Sequence, residues 1–426
     1  MKRRTMVAAL GAGLVGAGAL ALHPGQRGAP HAPYFARMAA ALRAAGIATP
    51  TMVIDRDALH NNAAQVTRNI AGRMQLRLVA KSLPCLPLLD DLAASMRTDR
   101  LMVFNLPYLQ QLAEQRPAFD LLLGKPLPVA AAAAFYQNLK TATFNPSTKL
   151  QWLIDGPQRL AQYRDLARQR HQAMRVNIEL DVGLHRGGVA DSSALQQMLA
   201  IFKSEPLLEW SGMMGYDAHI AKLPDLPGVR SGAFEHATSV YRDWTATATH
   251  ALHAGATPAD LTLNAGGSPT YRLHDGSKTP NEVALGSALV KPTDFDLDSL
   301  HDLAPAAFIA TPVIKAPPEF LMPNGVEWLG SLARMWDANQ RRVYFIYGGN
   351  WLANPVSPEG LAPSGLYGPS SNQQAMLGSG AQNLQMDDFI FFRPRQSESV
   401  LQQFGDIVVM EAGRITQRWP VLPAMP

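Results

Sequence analysis

Residues 76–85 read LRLVAKSLPC. Leu76, Leu78, Val79 and Ala80 suit a buried strand. Lys81 does not, because an ammonium group is costly to bury without a partner. Either the strand ends there and Lys81 reaches solvent, or its amine does chemistry. Other polar residues bear on the choice, because each follows an apolar, strand-like run. Asp181, Gly183 and Arg186 follow Met174–Leu180, and Tyr216 and His219 follow Trp210–Met214. Asn264, Gly266, Gly267 and Ser268 follow Leu261–Leu263, and Gly286 and Ser287 follow Val283–Leu285. Singly, each has an ordinary reading: glycines turn the chain, Asp181 and Arg186 form a structural pair, and His219 is a satisfied loop histidine. Together they stand in one register.

The chemistry that needs this set is pyridoxal phosphate catalysis. A lysine must join the cofactor aldehyde, and partial desolvation keeps its amine nucleophilic. A phosphate needs backbone N–H groups that glycine lets approach closely. Residues 264–268 and the pair Gly286–Ser287 offer two such loops. Tyr216 can bond the phosphate or cover the ring, and Arg186 can tune the ring's electron demand.

These residues need a scaffold that brings strand ends to one rim. From Thr51 the chain alternates short apolar runs with helical patterns. Thr51–Ile54, Leu76–Ala80, Leu101–Phe104, Leu121–Leu123 and Leu150–Ile154 precede the runs already named. Between them lie helical patterns such as Pro84–Ser95, Pro157–Arg168 and Ser192–Phe202, and Asp57 is placed to cap a helix carrying Leu59, Ala63, Val66 and Ile70. About eight βα units match a TIM-type (β/α)8 barrel, whose active sites lie at the strand C-terminal ends. No G-x-G-x-x-G follows the first strand, which counts against an open dinucleotide-binding sheet. After residue 291 Pro, Gly and short β-like runs take over, including Val409–Ile415 as a hairpin turning at Ala412-Gly413. The expected α/β organisation is therefore a barrel over residues 31–290 and a mostly β domain over 291–426.

Composition narrows the class. The 426 residues are 47% hydrophobic and carry a net charge of +4 with no long basic run, so nucleic acid is not implied. Cys85 is the single cysteine, which excludes an intramolecular disulfide and a cysteine-rich zinc site and suits a small buried residue. The N-terminus has Lys2, Arg3 and Arg4 before the uncharged run Thr5–Leu22. Paired arginines before such a run resemble a twin-arginine export signal, with Ala19-Leu20-Ala21 as a cleavage site. The expected location is periplasmic or exported. Uncleaved, the run is just long enough to anchor the chain in a membrane. Residues 1–30, signal plus linker, are set aside from the fold.

TPTMVIDRDALHNNAAQV, LRLVAKS, IELDVGLHRGGV, GMMGYDAHIA, LTLNAGGSPTY and NEVALGSALVKPT stand in this order. The set resembles the alanine-racemase-type (fold type III) family of pyridoxal phosphate enzymes, near D-threonine aldolase, D-serine dehydratase and the amino acid deaminase/aldolase branch. The resemblance implies a barrel followed by a β domain, often with the strand before the barrel joining that domain. It implies that Lys81 carries the cofactor, that Tyr216, Gly266, Gly267 and Ser268 lie on its phosphate side, and that Arg186 is the motif arginine. It also implies a homodimer.

Departures from the pattern bear on the reaction. Metal-dependent members usually have Lys-Thr-His-Lys at the cofactor lysine, where this chain has Lys81-Ser82-Leu83-Pro84. Their Pro-Asn-His-Ala-Cys metal stretch corresponds to Pro394-Arg395-Gln396-Ser397-Glu398, and Gln replaces imidazole poorly at a divalent metal. No catalytic metal is expected. The expected activity is a lyase, aldolase or dehydratase, on a small D-configured β-hydroxy amino acid, with His219 or Glu398 assisting at the β-hydroxyl. The alternative is an amino-acid racemase, with Tyr344, Tyr347 or Tyr367 as the second base.

Overall fold

The computed structural model describes residues 24–70, 72–252 and 260–424. The export-signal run Thr5–Leu22 lies outside the described residues. Two compact units emerge. One comprises Ile54–Ala307, Arg395–Val409 and the described residues from Gln417 on. The other comprises the described residues up to Val53, Phe308–Pro394 and Met410–Thr416.

The first strand, β1 (Thr51–Asp55), takes no part in the barrel and belongs to the sheet of the second unit. Eight strands then close the barrel: β2 (Gln75–Val79), β3 (Arg100–Val103), β4 (Asp120–Leu123), β5 (Leu150–Ile154), β6 (Met174–Leu180), β7 (Leu208–Gly215), β8 (Thr262–Ala265) and β9 (Glu282–Leu285). All run parallel, and β2 closes on β9 through Leu76↔Val283 and Leu78↔Leu285. Their near-continuous apolar character comes from burial on both faces, by the interior on one side and helices on the other. Alternation with helices such as Leu86–Met96, Pro157–Arg170 and Ser192–Ser204 supplies the outer layer.

Two local devices set the geometry. The helix Arg56–Ile70 begins one residue before the expected cap, so Asp57 lies in its first turn. Asp55 caps it instead, its Oδ1 accepting from Ala58 N at 3.1 Å, because the last residue of β1 already has the extended conformation a cap needs. Between β6 and β7 the register shifts at Val176/Asn177. Gly212 stands there with φ +150°, and a Cβ would lie 1.9 Å from Thr262 O, so no other residue fits.

The barrel interior holds an ion network centred on a buried pair, Arg77 and Glu282. Arg77 is fully buried and bonds Glu282 through Nε at 2.6 Å and Nη2 at 3.0 Å. Arg100 Nη1 donates to Glu282 Oε2 at 2.8 Å, the oxygen that also accepts from Arg77 Nη2, and Asp120 Oδ1 lies 2.7 Å from Arg77 Nη2. Burial opposes the Arg77 charge, yet the two carboxylates outweigh it and raise its pKa.

The second unit is built on a sheet that includes β10 (Ala307–Lys315), β11 (Arg342–Tyr347), β12 (Ala353–Ser357), β13 (Ala362–Pro363), β14 (Gln373–Gly378) and β15 (Phe389–Pro394). Strands β11 and β14 pair antiparallel from Arg342↔Gly378 to Tyr347↔Gln373. The last hairpin joins β16 (Ile407–Glu411) to β17 (Arg414–Trp419). Its turn residues Ala412 and Gly413 have φ of 49° and 73°, the paired positive values of a tight hairpin turn. Tyr344 is fully buried, whereas Tyr347 and Tyr367 are 45% and 48% exposed.

Candidate active site

A cavity opens at the C-terminal ends of the barrel strands. Lys81 enters it from the 3-10 turn Ala80–Ser82 directly after β2. Its Nζ lies 4.5 Å from the centroid of the Phe104 ring and 3.9 Å from Glu398 Oε1. Burial lowers the Lys81 pKa; Glu398 opposes this, and Arg186 and Lys125 add to it. A less protonated amine is a better nucleophile at neutral pH.

Arg186 and Tyr216 also line the cavity. The guanidinium lies 4.9 Å over the Tyr216 ring. Burial raises the Tyr216 pKa, so the phenol keeps its proton and remains a donor. The structural pair of Asp181 with Arg186 does not form. Asp181 Oδ1 accepts from Gly183 N and His185 N, both at 3.0 Å, and Oδ2 meets His185 Nδ1 at 2.8 Å. Asp181 thus shapes the loop and leaves Arg186 to the cavity.

The floor is a glycine cradle. Gly266 has φ +69°. A Cβ at Gly267 would lie 2.6 Å from Tyr216 Cε2, and one at Gly286 would lie 2.8 Å from Ser82 Cβ and 2.9 Å from Val79 O. Ser268 Oγ accepts from Gly286 N at 3.3 Å and Ala288 N at 3.1 Å, tying the two loops together. Ser287 lines the cavity, its Oγ 3.0 Å from Ser397 Oγ.

Two expected placements change. Asn264 is not a loop residue; it belongs to β8, and its Nδ2 donates to Glu282 Oε1 at 2.8 Å, so it joins the cavity to the ion network. His219 does not line the cavity. The turn Asp217–Ile220 carries it toward Gly183, where a Cβ would lie 3.3 Å from His219 Nε2. Glu398 occupies the position facing Lys81, and Ser82 Oγ donates to its Oε1 at 3.2 Å. Cys85 is buried, and burial pushes its thiol up to about 12, which removes it as a nucleophile. Gln396 is exposed. Among the described residues, no group of three or more His, Cys, Asp or Glu is arranged to hold a metal ion.

Sequence reasoning missed the brace behind the cradle. Asp217 Oδ2 meets His274 Nε2 at 2.7 Å, and its Oδ1 accepts from Thr270 Oγ1 at 2.6 Å. Thr270 Oγ1 in turn accepts from Gly267 N at 3.2 Å. The available signal was an acidic residue directly after Tyr216, with Thr and His behind the Gly-Gly-Ser loop.

The alanine racemase N-terminal domain model matches residues 54–293. The chain belongs to this family. Its members are pyridoxal phosphate-dependent enzymes. The cradle fits such a cofactor: a half-buried amine, two glycine loops that a side chain would fill, and a cation beside a phenol. No curated protein sequence matches the chain. Solved structures share the fold. A D-threonine aldolase from Filomicrobium marinum is similar with TM-score 0.67 and 14% identity, over 88% of this chain and 97% of that one. A D-threo-3-hydroxyaspartate dehydratase from Delftia sp. HT23 gives 0.69 and 17%, over 89% and 98%. An alanine racemase from Bacillus anthracis gives 0.64 and 13%, over 88% and 98%.

Proposed function

We propose that the chain is a pyridoxal phosphate-dependent lyase acting on small D-configured β-hydroxy amino acids. The observation that carries this reading is the second titratable group in the cavity, Glu398, 3.9 Å from the Lys81 amine. Two of the similar folds named above, an aldolase and a dehydratase, support the same class.

The bound cofactor supplies an electron sink that weakens the bonds at the substrate α-carbon. Lys81 holds the cofactor and then moves a proton at that carbon. Ser82 orients Glu398, whose carboxylate takes the proton of the β-hydroxyl in Cα–Cβ cleavage, or, protonated, donates one to departing hydroxide in elimination. Tyr216 donates from its phenol, and Arg186, stacked on that ring, balances negative charge on the cofactor. The glycine cradle lets backbone N–H groups close on the phosphate, and Asp217 keeps the cradle in shape through Thr270.

The test incubates purified, cofactor-supplied protein with D-threonine and D-serine, with and without a chelator. Glycine plus acetaldehyde, or ammonia plus a 2-oxo acid, is expected. No product from either amino acid overturns the lyase reading. Deuterium uptake at the α-carbon with inversion replaces it with the racemase reading.

A further inference from the structure

The helix Glu327–Trp336 in the second unit is mounted inside out. Trp328, Leu332 and Met335 fall at i, i+4 and i+7, one face of a helix. Such a stripe normally faces the core. Here the three are 62%, 52% and 72% exposed. The only buried residue of the helix is Gly330, where a Cβ would lie 2.7 Å from Met322 Cγ. The small side meets the protein, and the large apolar side meets the surroundings.

The start of the described chain indicates what covers this face. Arg27 N donates to Asn339 Oδ1 and Asn339 Nδ2 donates to Gly25 O, both at 2.9 Å. Asn339 is itself held by Asp337 Oδ1, which accepts from its N at 2.9 Å and from its Nδ2 at 2.8 Å. The chain is therefore pinned three residues past the helix end. A cleft lined by Gln26, Arg334, Met335, Arg341 and Arg342 joins the pinned segment to the apolar face. In the sequence, the uncharged run Thr5–Leu22 ends three residues before Gly25. That run has the length of a bilayer-inserting segment, and the residues that follow it, Gly25–Arg27, are the ones pinned beside the exposed face.

We propose that the helix Glu327–Trp336 is a lipid-contacting element lying in the plane of a bilayer surface. Trp328, Leu332 and Met335 enter the boundary between headgroups and acyl chains. Arg341 and Arg342 meet anionic headgroups. Ten residues make a helix of about 15 Å, half the hydrocarbon thickness, so it lies along the surface and does not cross. Trp is suited to this depth because its ring is apolar and its N–H can still meet a polar partner.

The test uses the full chain with vesicles of phosphatidylethanolamine and phosphatidylglycerol, plain or with brominated acyl chains. Bromine quenches tryptophan only at contact range. Quenching is expected in the unmodified chain and is expected to fall clearly in Trp328→Phe, which leaves the fold intact because the side chain is exposed. Met335 is expected to oxidise readily with peroxide in solution and to be protected once vesicles are added. Equal quenching in both chains overturns the proposal, because the N-terminal run would then be the sole anchor. Protection of Met335 without vesicles also overturns it, because residues 5–22 or a second copy would then cover the face.

Discussion

Arg77 and Lys81 stand four residues apart on one strand and the turn after it, and they are treated in opposite ways. Arg77 has Glu282 at 2.6 and 3.0 Å, Asp120 at 2.7 Å, and the carbonyls of Leu101 and Asp120 at 3.1 and 3.0 Å. Lys81 has one carboxylate at 3.9 Å and a ring at 4.5 Å. Both cations are desolvated, but the shifts have opposite signs: that of Arg77 is raised and that of Lys81 lowered. A buried charge with a full set of partners belongs to the architecture. One with an incomplete set is left reactive, and it stands where the cavity opens.

The contrast breaks most readily at Lys81. Lys81→Ala is expected to reduce turnover by about 10⁴-fold with little change in the urea midpoint. Borohydride treatment of the cofactor-loaded protein is expected to add mass to the peptide carrying Lys81; a mass on any other lysine overturns the assignment. Glu282→Gln should do the reverse. It removes half of the Arg77 pairing in the interior, and the expected cost is about 3–5 kcal/mol of unfolding free energy. Loss of activity at unchanged stability would remove Glu282 from the architectural class. Glu398→Gln keeps the bond to Ser82 but removes the charge. Turnover is expected to fall by about 10²-fold with an unchanged unfolding midpoint. Glu398 holds the Lys81 pKa up against burial, so its loss lets the amine capture cofactor at lower pH, and the pH dependence of capture measures that directly.

The barrel and the identity of the cavity residues were legible because each depends on local order. Apolar runs mark the strands, and the residues next in sequence to a parallel strand must emerge at its C-terminal end. Lys81, Arg186, Tyr216 and the two glycine loops therefore meet in one cavity, as their register implies. Three things were not legible. Asn264 looked like a loop residue because nothing local shows that β8 runs two residues further to reach Glu282. His219 fell on the expected rim, but the tight turn after Tyr216 carries it out of the lining. Glu398 was a candidate from the sequence, but its pairing with Lys81 was not, because a contact over three hundred residues apart is set by topology rather than pattern. The ion network was hidden for a related reason. Arg77, Arg100 and Glu282 each look like a lone charge in an apolar strand, and only closure of β9 on β2 makes them partners.

Glu179 tests the contrast at its midpoint. It lies half-buried at the upper end of β6, near the Arg186 loop. Burial, with the charges of Asp155 and Asp181, raises its pKa to about 7, while Arg186 pulls it down. The proton balance sets the sign of the stability effect. Above the ordinary carboxylate value of 4.5 the unfolded chain has released this proton, while the folded chain keeps it until about 7. The unfolded state therefore binds fewer protons across that window, and stability falls as pH rises through it. Glu179→Gln removes this slope. The variant is expected to match the parent near pH ~4 and to exceed it near pH ~8 by on the order of 1 kcal/mol, since solvent screens a half-buried group. Urea titrations at the two pH values measure the difference. If parent and variant lose stability in parallel, Arg186 neutralises Glu179 in the folded state. The carboxylate then belongs with Glu282 among the paired groups, and Arg186 is committed to structure before any ligand arrives.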